Sequence, residues 1–362
     1  MPKAIAIRKV DGKPGQVYYP LEHIQLPEPK PTDNEVVVKI TAAALNHRDL
    51  FLRQHLYPGT TFGVPLLADG SGVVVATGSS PQAQKWKGKK VIINPGSGWK
   101  DDPDGPESPK GYAILGGTKM NPLGTLGEIV TIDAGELEEQ PQHLSSIEAA
   151  ALPLTGLTAW RAVMTKSGQA KPGRNILVTG IGGGVALMAL LFASAAGANV
   201  FVSSGSEEKL KRAKALGAAG GVNYKEEGWE KKLMSELPAE RKHLDAIIDG
   251  AGGDVVEKGM RMLKPGGVIV QYGMTISPKM TWHMGAVLKN LELRGSTMGS
   301  RKEFADMVKF VDNKKLRPVI SRTVTGLDNL DGINGLFEDM KSGSQFGKLV
   351  IEVSRDGEGS KL

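Results

Sequence analysis

The pattern of hydrophobic and polar residues divides the chain into three parts. From residue 1 to about residue 152 it shows short alternating stretches, such as EVVVKITAAAL and GSGVVVATG, separated by glycine and proline. Alternation with a period of two is typical of strands with one buried face, so this part predicts an antiparallel, partly barrel-like β domain. A long segment rich in Gly, Pro and Asp, residues 96–124, interrupts the pattern.

The middle part, residues 153–297, alternates between strands and helices. Its apolar runs are NILVTG, NVFVSS, GVNY, LDAIIDGAG, GGVIVQYG and LELRGST, with helical patterns between them. Apolar strands joined by crossover helices predict a doubly wound, parallel, six-stranded sheet of the Rossmann type. The fold class is therefore α/β, with a β-rich first domain and a Rossmann second domain.

The third part, from about 298 to 362, is expected to complete the first domain. It shows two helical patterns, near 301–313 and 328–341, and then the strand-like run KLVIEVS. We expect that closing strand to pair back into the first domain, so the Rossmann domain is an insertion between two parts of the other domain.

The run NILVTGIGGG predicts a dinucleotide site. A buried strand ends in glycines that open a helix, so bare backbone and the helix N-terminus meet the pyrophosphate. Two registers fit. Gly180 and Gly182 place Val185 third, whereas a shift by one residue places Gly183 in the middle and Ala186 last. We prefer the second register, with Gly180 as an extra turn glycine. The turn residues assigned to the cofactor are Gly180, Ile181, Gly183, Gly184 and Val185.

The end of the second Rossmann strand favours NADPH (NADP+) over NADH. An NAD site usually has an acidic residue there to bind the ribose hydroxyl, and this chain has Ser204. The hydroxyls of Ser204 and Ser206 and the ammonium of Lys209 suit a 2′-phosphate. Glu207 and Glu208 count against it, although acidic residues in a first helical turn also favour the helix dipole.

Composition excludes several classes of protein. The chain has no cysteine, which rules out disulfides and thiolate metal sites. Its net charge of +6 is scattered rather than gathered on one stripe, which argues against nucleic-acid binding. No apolar run approaches the roughly 18 residues of a membrane span. The partners expected are therefore small molecules, and no nucleic acid or membrane.

Seven motifs together make the chain resemble the medium-chain dehydrogenase/reductase superfamily over essentially its full length. They are ALNHRDLFLRQHLYP, DGSGVVVATG, AAALPLTGLTAW, GGGVALMAL, KLKRAKALGA, DGAGG and LKPGGVIVQYG. Within the superfamily, the chain most resembles the zinc-free quinone oxidoreductase-like branch and fungal zinc-type alcohol dehydrogenase-like proteins. The resemblance implies that the first domain is GroES-like.

The chain departs from the metal-dependent members of this superfamily at their zinc ligands. By alignment, the catalytic zinc positions are occupied here by Asn46, Ala68 and Asp69. The segment that carries four cysteines in relatives with a structural zinc corresponds to residues 96–124, and it has none. We therefore expect an enzyme without zinc or another bound metal.

The resemblance also implies candidate catalytic residues. Asn46 and Asp69 lie where a metal would lie, and Asn46 has an amide hydrogen to donate. Thr158 matches a threonine beside the nicotinamide. Tyr57 matches a tyrosine of the substrate cleft, where it would orient a carbonyl or supply a proton; packing beside Pro58 is the equal alternative.

Further cofactor contacts follow from the same resemblance. His47 is assigned to the cofactor phosphates or, as the open alternative, to a satisfied structural role, and both are preferred over acid–base chemistry with the nearby Asp49. The other assigned residues are Tyr224, Gly250, Ala251, Gly273, Met274 and Lys348.

The chemistry expected without a metal is conjugate reduction. Polarising a plain ketone for hydride transfer is difficult without a Lewis acid, whereas the enolate formed from a conjugated carbonyl needs only hydrogen-bond donors. We expect an NADPH-dependent reductase of an α,β-unsaturated carbonyl or a quinone. The alternatives are a zinc-free alcohol dehydrogenase or ketone reductase, and a non-catalytic NADPH-binding protein.

The chain ends in Ser360-Lys361-Leu362, after a polar, glycine-rich stretch that is expected to be a flexible tail from residue 356. A C-terminal S-K-L is an address read by the peroxisomal import receptor, so the peroxisomal matrix is the predicted location, and otherwise the cytoplasm. A homodimer through the edge strand LELRGST is expected from the resemblance.

Overall fold

Residues 1–277 and 279–354 are described by the structure, a computed structural model, and they form two units. Unit 1 consists of residues 1–154 and the residues from Ser300 on, and unit 2 of Thr155–Gly299. The boundaries thus fall at residues 154 and 299 rather than at 152 and 297. The tail from residue 356, with its S-K-L tripeptide, lies outside the described residues.

The strands and helices are numbered in chain order. The strands are β1 (Lys3–Ile7), β2 (Leu21–Gln25), β3 (Glu35–Ala44), β4 (Asp69–Thr77), β5 (Lys90–Ile93), β6 (Gly96–Ser97), β7 (Ala113–Ile114), β8 (Ile129–Asp133), β9 (Leu137–Glu139), β10 (Asn175–Val178), β11 (Asn199–Ser204), β12 (Gly220–Asn223), β13 (Leu244–Asp249), β14 (Leu263–Gln271), β15 (Glu292–Gly295), β16 (Ile320–Thr325) and β17 (Lys348–Glu352). The helices are α1 (His47–Arg53), α2 (Pro81–Gln84), α3 (Ser146–Ala150), α4 (Pro153–Trp160), α5 (Gly184–Ala195), α6 (Glu207–Ala215), α7 (Trp229–Glu236), α8 (Val255–Met262), α9 (Met284–Leu288), α10 (Arg301–Lys314) and α11 (Leu330–Ser342). A short 3₁₀ helix, Ala134–Glu136, follows β8, and α4 continues into a π-helical stretch, Arg161–Ser167.

The main sheet of unit 1 is centred on β3. Its order is β16-β17-β3-β4-β5-β9, and β8 also pairs with β3. The pairs are antiparallel except β16 with β17, which are parallel. β17 pairs with the end of β3, where Val350 faces Ala44, so the prediction that the closing strand returns to the first domain is confirmed.

Unit 2 contains one parallel sheet of six strands in the order β12-β11-β10-β13-β14-β15. The six-stranded Rossmann prediction is therefore confirmed. β10 and β13 are buried along their whole length, as strands are when helices cover both faces of a sheet. The strand order reverses between the neighbours β10 and β13, and ligands of such sheets bind beyond the carboxyl ends at that point.

One carboxylate binds three successive backbone N–H groups within the segment 96–124. Glu107 accepts the backbone N–H groups of Lys100, Asp101 and Asp102 at 2.6, 2.7 and 2.8 Å. These hydrogen bonds lower the pKa of Glu107 to about 2. A hydrogen-bonded anion thus fixes the backbone at residues 100–102.

None of the helices in the described part of the chain has the length and apolar character that crossing a bilayer requires.

Candidate catalytic and cofactor sites

The candidate catalytic residues of unit 1 meet where β3 passes into α1. Asn46 precedes α1 and Asp69 begins β4, and the antiparallel register pairs Ala44 with Asp69. Two residues after Ala44, the chain therefore lies beside the Asp69 side chain. The side-chain amide of Asn46 donates to Oδ2 of Asp69 at 2.9 Å, and both side chains are buried.

Lys348 supplies a positive charge to this pair. It is the first residue of β17, which lies beside β3 on the other side from β4. Its Nζ lies 2.8 Å from Oδ2 of Asp69, 2.7 Å from Oδ1 of Asn46 and 2.7 Å from the carbonyl oxygen of Leu45. The remaining carboxylate oxygen of Asp69, Oδ1, accepts the N–H of Leu154 at 2.7 Å. Only 4% of Lys348 is exposed, so this is a buried ion pair.

A second buried ion pair supports the same turn. Asp49 accepts the backbone N–H of Asn46 at 2.7 Å, and its other oxygen lies 3.2 Å from the guanidinium of Arg48. Arg48 also donates to the carbonyl oxygens of Leu115 and Gly116, each at 2.9 Å. Burial raises the pKa of Asp49 to about 6, and the charge of Arg48 opposes that rise.

The residues of this cluster do not fit a zinc ion. Zinc in proteins takes four ligands in tetrahedral array, mostly thiolate and imidazole. Here Ala68 has no donor atom, and the oxygens of Asn46 and Asp69 are already bonded to the ammonium of Lys348. In the described residues, no group of three or more His, Cys, Asp or Glu side chains is placed to hold a metal.

Tyr57 and His47 also lie in unit 1. Tyr57 is partly buried in the turn after α1, and the guanidinium carbon of Arg48 lies 4.7 Å from its ring centroid. His47 is exposed at the start of α1, with its ring edge-on to Phe51 at 4.9 Å. Partial shielding from water lowers the pKa of His47, which favours its neutral form. The roles assigned to both residues remain predictions.

The glycine turn of unit 2 follows β10. Gly180 and Gly182 have φ angles of 63° and 131°, whereas Gly183 is the N-cap of α5 with a φ of −75°. A Cβ placed on Gly182 would lie 3.0 Å from Cδ of Lys209, so that lysine covers the turn. Gly182 was not among the residues selected from the sequence; its left-handed backbone is the signal that only the structure supplies.

Polar groups surround the end of β11, where the nucleotide phosphate was predicted. Ser204 is buried, and its hydroxyl oxygen accepts the backbone N–H of Ser206. The hydroxyl oxygen of Ser206 in turn accepts the backbone N–H of Lys209 and so caps α6. Burial and the nearby Arg212 lower the pKa of Lys209. Glu207 accepts a hydrogen bond from Asn223 at 3.1 Å.

Lys225 is a further candidate that the sequence reasoning missed. A Cβ placed on Gly205 would lie 2.7 Å from Cε of Lys225 and 3.0 Å from the hydroxyl of Tyr224, so both side chains flank the backbone that follows Ser204. Lys225 comes directly after the predicted Tyr224, beyond the end of β12, which pairs with β11. Its place in the sequence, just beyond a strand that neighbours β11, was the signal by which Lys225 could have been selected.

Asp249 organises the carboxyl edge of the sheet and was also missed. It accepts the N–H groups of Ala251 and Gly252 at 3.1 and 2.6 Å, the amide of Gln271 at 2.6 Å and the hydroxyl of Thr179. Because Gln271 also donates to the carbonyl of Gly273, one carboxylate connects the ends of β10, β13 and β14. This connects the two predicted loop pairs, Gly250 with Ala251 and Gly273 with Met274.

Two other predicted residues of unit 2 have close neighbours. A Cβ on Gly250 would lie 2.5 Å from the ring of Tyr272, so a side chain does not fit there. Thr158 is buried in α4, with its hydroxyl 3.7 Å from the sulfur of Met298.

Comparison with known proteins agrees with this arrangement. Residues 32–142 match the family described as alcohol dehydrogenase GroES-like domain, and residues 184–313 match the family described as zinc-binding dehydrogenase. The zinc-type alcohol dehydrogenase-like protein YogA of Leptosphaeria maculans is 54% identical over 358 residues, which cover 98% of this chain and 100% of that protein. The chain belongs to the medium-chain dehydrogenase/reductase superfamily. It is an oxidoreductase by that membership.

Members with more specific names are more distant. The acryloyl-coenzyme A reductase of Metallosphaera sedula is 28% identical, over 92% of this chain and 96% of its own. A solved NAD-dependent alcohol dehydrogenase is 34% identical with a TM-score of 0.83, over 97% of this chain and 100% of its own. The quinone oxidoreductase of Coxiella burnetii is 26% identical with a TM-score of 0.74, over 98% of this chain and 99% of its own.

Proposed function

We propose that this oxidoreductase is an NADPH-dependent, metal-free reductase of α,β-unsaturated carbonyl compounds or quinones. The observation that carries the proposal is the bonding of Asn46 and Asp69 to Lys348, at the positions where zinc-dependent relatives bind their metal. A substrate whose reduction needs no Lewis acid suits such a site best.

The residues of this chain would act as donors to the developing enolate. When bound, NADPH supplies a hydride to the β-carbon of the substrate. Asn46 uses one amide hydrogen on Asp69, and its second has no partner among the described residues. That hydrogen and the phenol of Tyr57 are the proposed donors to the carbonyl oxygen, with Tyr57 as the candidate proton source. Thr158 stays a predicted residue beside the nicotinamide.

The preference for NADPH rests on the end of β11. Two serine hydroxyls and the ammonium groups of Lys209 and Lys225 form a polar, cationic rim, which suits a phosphate better than a ribose hydroxyl. Glu207, one of the two acidic residues that argued for NADH, is hydrogen-bonded to Asn223. Because one solved relative is an NAD-dependent alcohol dehydrogenase, the preference is tested by comparing kcat/KM for NADPH and NADH.

The substrate class is supported by the named relatives. One acts on acryloyl-coenzyme A, which is a conjugated thioester, and one is a quinone oxidoreductase. Both substrates accept hydride at a carbon or oxygen conjugated with a carbonyl group. The alternative, an alcohol dehydrogenase or ketone reductase that works without zinc, is supported by the solved NAD-dependent alcohol dehydrogenase, and the relative YogA is called zinc-type alcohol dehydrogenase-like.

The deciding experiment is NADPH oxidation, followed by absorbance with EDTA present, on a conjugated enone and on its saturated ketone. Turnover of the enone alone supports the proposal. Rates with crotonyl-coenzyme A and with a benzoquinone then show whether conjugated thioesters or quinones are preferred. Turnover of the saturated ketone supports the alternative. NADPH binding without turnover of either substrate supports a non-catalytic role.

We also propose that the protein forms a homodimer through β15 and the residues before it. β15 is the last strand of its sheet and pairs only with β14 in the described residues. Exposed apolar side chains cluster before and on it: Ile276, Trp282, Met284, Val287, Leu288 and Leu293. An open strand edge beside such a patch favours pairing with a second copy. Import into peroxisomes remains a prediction from the S-K-L sequence.

A further inference from the structure

We infer that Lys348 is a positioning residue of the candidate active site, whose ammonium fixes Asn46 and Asp69 and makes their oxygens unavailable to a metal ion. The inference rests on the proposed catalytic role of Asn46. It changes the role assigned to Lys348 from the sequence, which was contact with the cofactor.

The hydrogen bonds of Lys348 are complete. An ammonium group has three hydrogens, and Nζ has three oxygen acceptors within 2.8 Å, on Leu45, Asn46 and Asp69. It has no hydrogen left for a phosphate or for a substrate carbonyl. Contact with either would therefore break one of three short, buried, charge-assisted bonds.

The same bonds determine which way the amide of Asn46 points. An ammonium only donates hydrogen bonds and a carboxylate only accepts them. The amide oxygen of Asn46 must therefore face Lys348, and its nitrogen must face Asp69, as the distances of 2.7 and 2.9 Å show. With the amide fixed in this way, its second N–H has a single direction, which is what a donor to a developing enolate requires.

Charge balance explains why a cation is needed at this place. Asp69 is completely buried, and an unpaired carboxylate there would be strongly destabilising. The two buried ion pairs of the cluster, Lys348 with Asp69 and Arg48 with Asp49, leave no net charge. A divalent metal added to this group would place further positive charge beside Lys348. It would also find the oxygens of Asn46 and Asp69 already bonded to the ammonium. The ammonium of Lys348 thus supplies the positive charge that balances Asp69.

A double-mutant cycle on the purified, full-length protein tests the pairing. Lys348→Met keeps an unbranched side chain, slightly shorter than that of lysine, and removes its charge, so the unfolding temperature should fall by about 6–15 °C, as expected for breaking a buried ion pair. Adding Asp69→Asn removes the unpaired charge and should restore at least half of that loss. The exposed pair Lys302 and Asp306, changed to Met and Asn in the same way, should show no coupling.

If Lys348→Met alone does not fold, the double variant decides the matter. A folded double variant supports the inference, because the loss then comes from the unpaired carboxylate. A double variant that also fails to fold, or losses that simply add, would overturn it.

Metal analysis provides a test that does not depend on activity. The wild-type protein, incubated with excess zinc and desalted, should retain less than about 0.1 equivalents per chain, and EDTA should leave its unfolding temperature unchanged. If the wild-type protein retains about one equivalent of zinc per chain, and the variants that break the Lys348–Asp69 pair no longer retain it, the inference would be overturned. Neither this test nor the stability cycle requires turnover, so they remain decisive if the proposed reductase activity is not found.

Binding and turnover separate positioning from cofactor contact. In Lys348→Met we expect an NADPH Kd within about 3-fold of wild type, and an enone kcat lower by about 10- to 100-fold with little change in KM. A Kd that rises more than about 10-fold, with a weaker salt dependence, would place Lys348 on the cofactor phosphate and overturn the inference.

Discussion

The side-chain amide of Gln271 lies 2.6 Å from the carboxylate of Asp249, and this bond joins the ends of the adjacent parallel strands β13 and β14. Both strand ends carry loops that were predicted to bind the cofactor. A carboxylate with no predicted role of its own thus fixes the position of residues predicted to bind the nucleotide.

Replacement of Asp249 by alanine should therefore weaken both the fold and the cofactor site. It leaves the buried N–H of Gly252 without an acceptor and removes one of the two hydrogen bonds of the Gln271 amide, and a lost buried bond costs about 1–3 kcal/mol in the free energy of unfolding. We expect the NADPH Kd to rise at least about 10-fold, measured by fluorescence titration. Asp254→Ala, at an exposed residue paired with Lys258, is the control and should behave as wild type. Normal NADPH affinity in Asp249→Ala would contradict this prediction.

Removal of the Lys225 charge should reduce the preference for NADPH. Lys225→Ala should lower kcat/KM for NADPH by about 10-fold and leave the value for NADH unchanged, because only NADPH carries the 2′-phosphate. Lys231→Ala, an exposed lysine of α7, is the matched control. Equal losses with both cofactors would show that Lys225 acts elsewhere.

A methyl group at position 250 should not be tolerated. Gly250→Ala would bring its Cβ to 2.5 Å from the ring of Tyr272, so the ring or the strand end must move. Overpacking of this kind costs about 1–3 kcal/mol, to be measured by denaturant unfolding. Gly105→Ala, where no atom lies within 4 Å of the added carbon, should be neutral. Similar stabilities for the two variants would contradict the packing argument.

The acid stability of the segment 96–124 should depend on Glu107. Its pKa is lowered to about 2 in the folded protein from a usual value of 4.5, so its contribution to stability is complete above pH 4.5 and is lost as the pH falls towards 2. Glu107→Gln should unfold at a lower temperature than wild type at pH 7, and the difference should shrink on acidification. Glu240→Gln, at an exposed residue, should follow the wild-type curve throughout. A constant difference between pH 7 and pH 3 would contradict the assignment.

A charge on the patch beside β15 should dissociate the proposed dimer. Leu288 is 75% exposed, so Leu288→Lys should not disturb the fold of unit 2 but should oppose burial in an interface. Light scattering after gel filtration should give twice the chain mass of 38.5 kDa for wild type and a single chain mass for the variant. Leu56→Lys, at an exposed leucine of unit 1, is the control. A wild-type protein that elutes as a monomer would refute the proposal.

The sequence predicted the elements of unit 2 well for a physical reason. Strands covered on both faces are continuous apolar runs, and turns between them carry glycine, so NILVTG and LDAIIDGAG could be assigned from the pattern alone. The closing strand KLVIEVS was assigned in the same way. Its parallel pairing with β16 could not be, because hydrophobic alternation does not encode strand direction.

Side-chain networks were beyond the reach of the pattern. Asn46 and Asp69 were selected from the resemblance, but their bonds to Lys348 depend on strand register across 302 and 279 positions of sequence. Asp249 lies at the end of an apolar run, where a single polar residue indicates only that a loop begins and not what its side chain binds. The sequence does not distinguish Gly182 from its glycine neighbours, whereas its φ angle of 131° and the nearby Lys209 side chain do.

The origin of Lys348 in the last strand of unit 1 has a consequence for synthesis of the protein. Asn46 and Asp69 leave the ribosome early, and all of unit 2 is translated before Lys348 follows. During that interval the first 154 residues lack both β17, which pairs with β3, and the ammonium that binds the Asp69 carboxylate in the folded protein. The contacts of Lys348 with Asn46 and Asp69 can therefore be made only after unit 2 has been translated, and a chain that stalls within unit 2 lacks them.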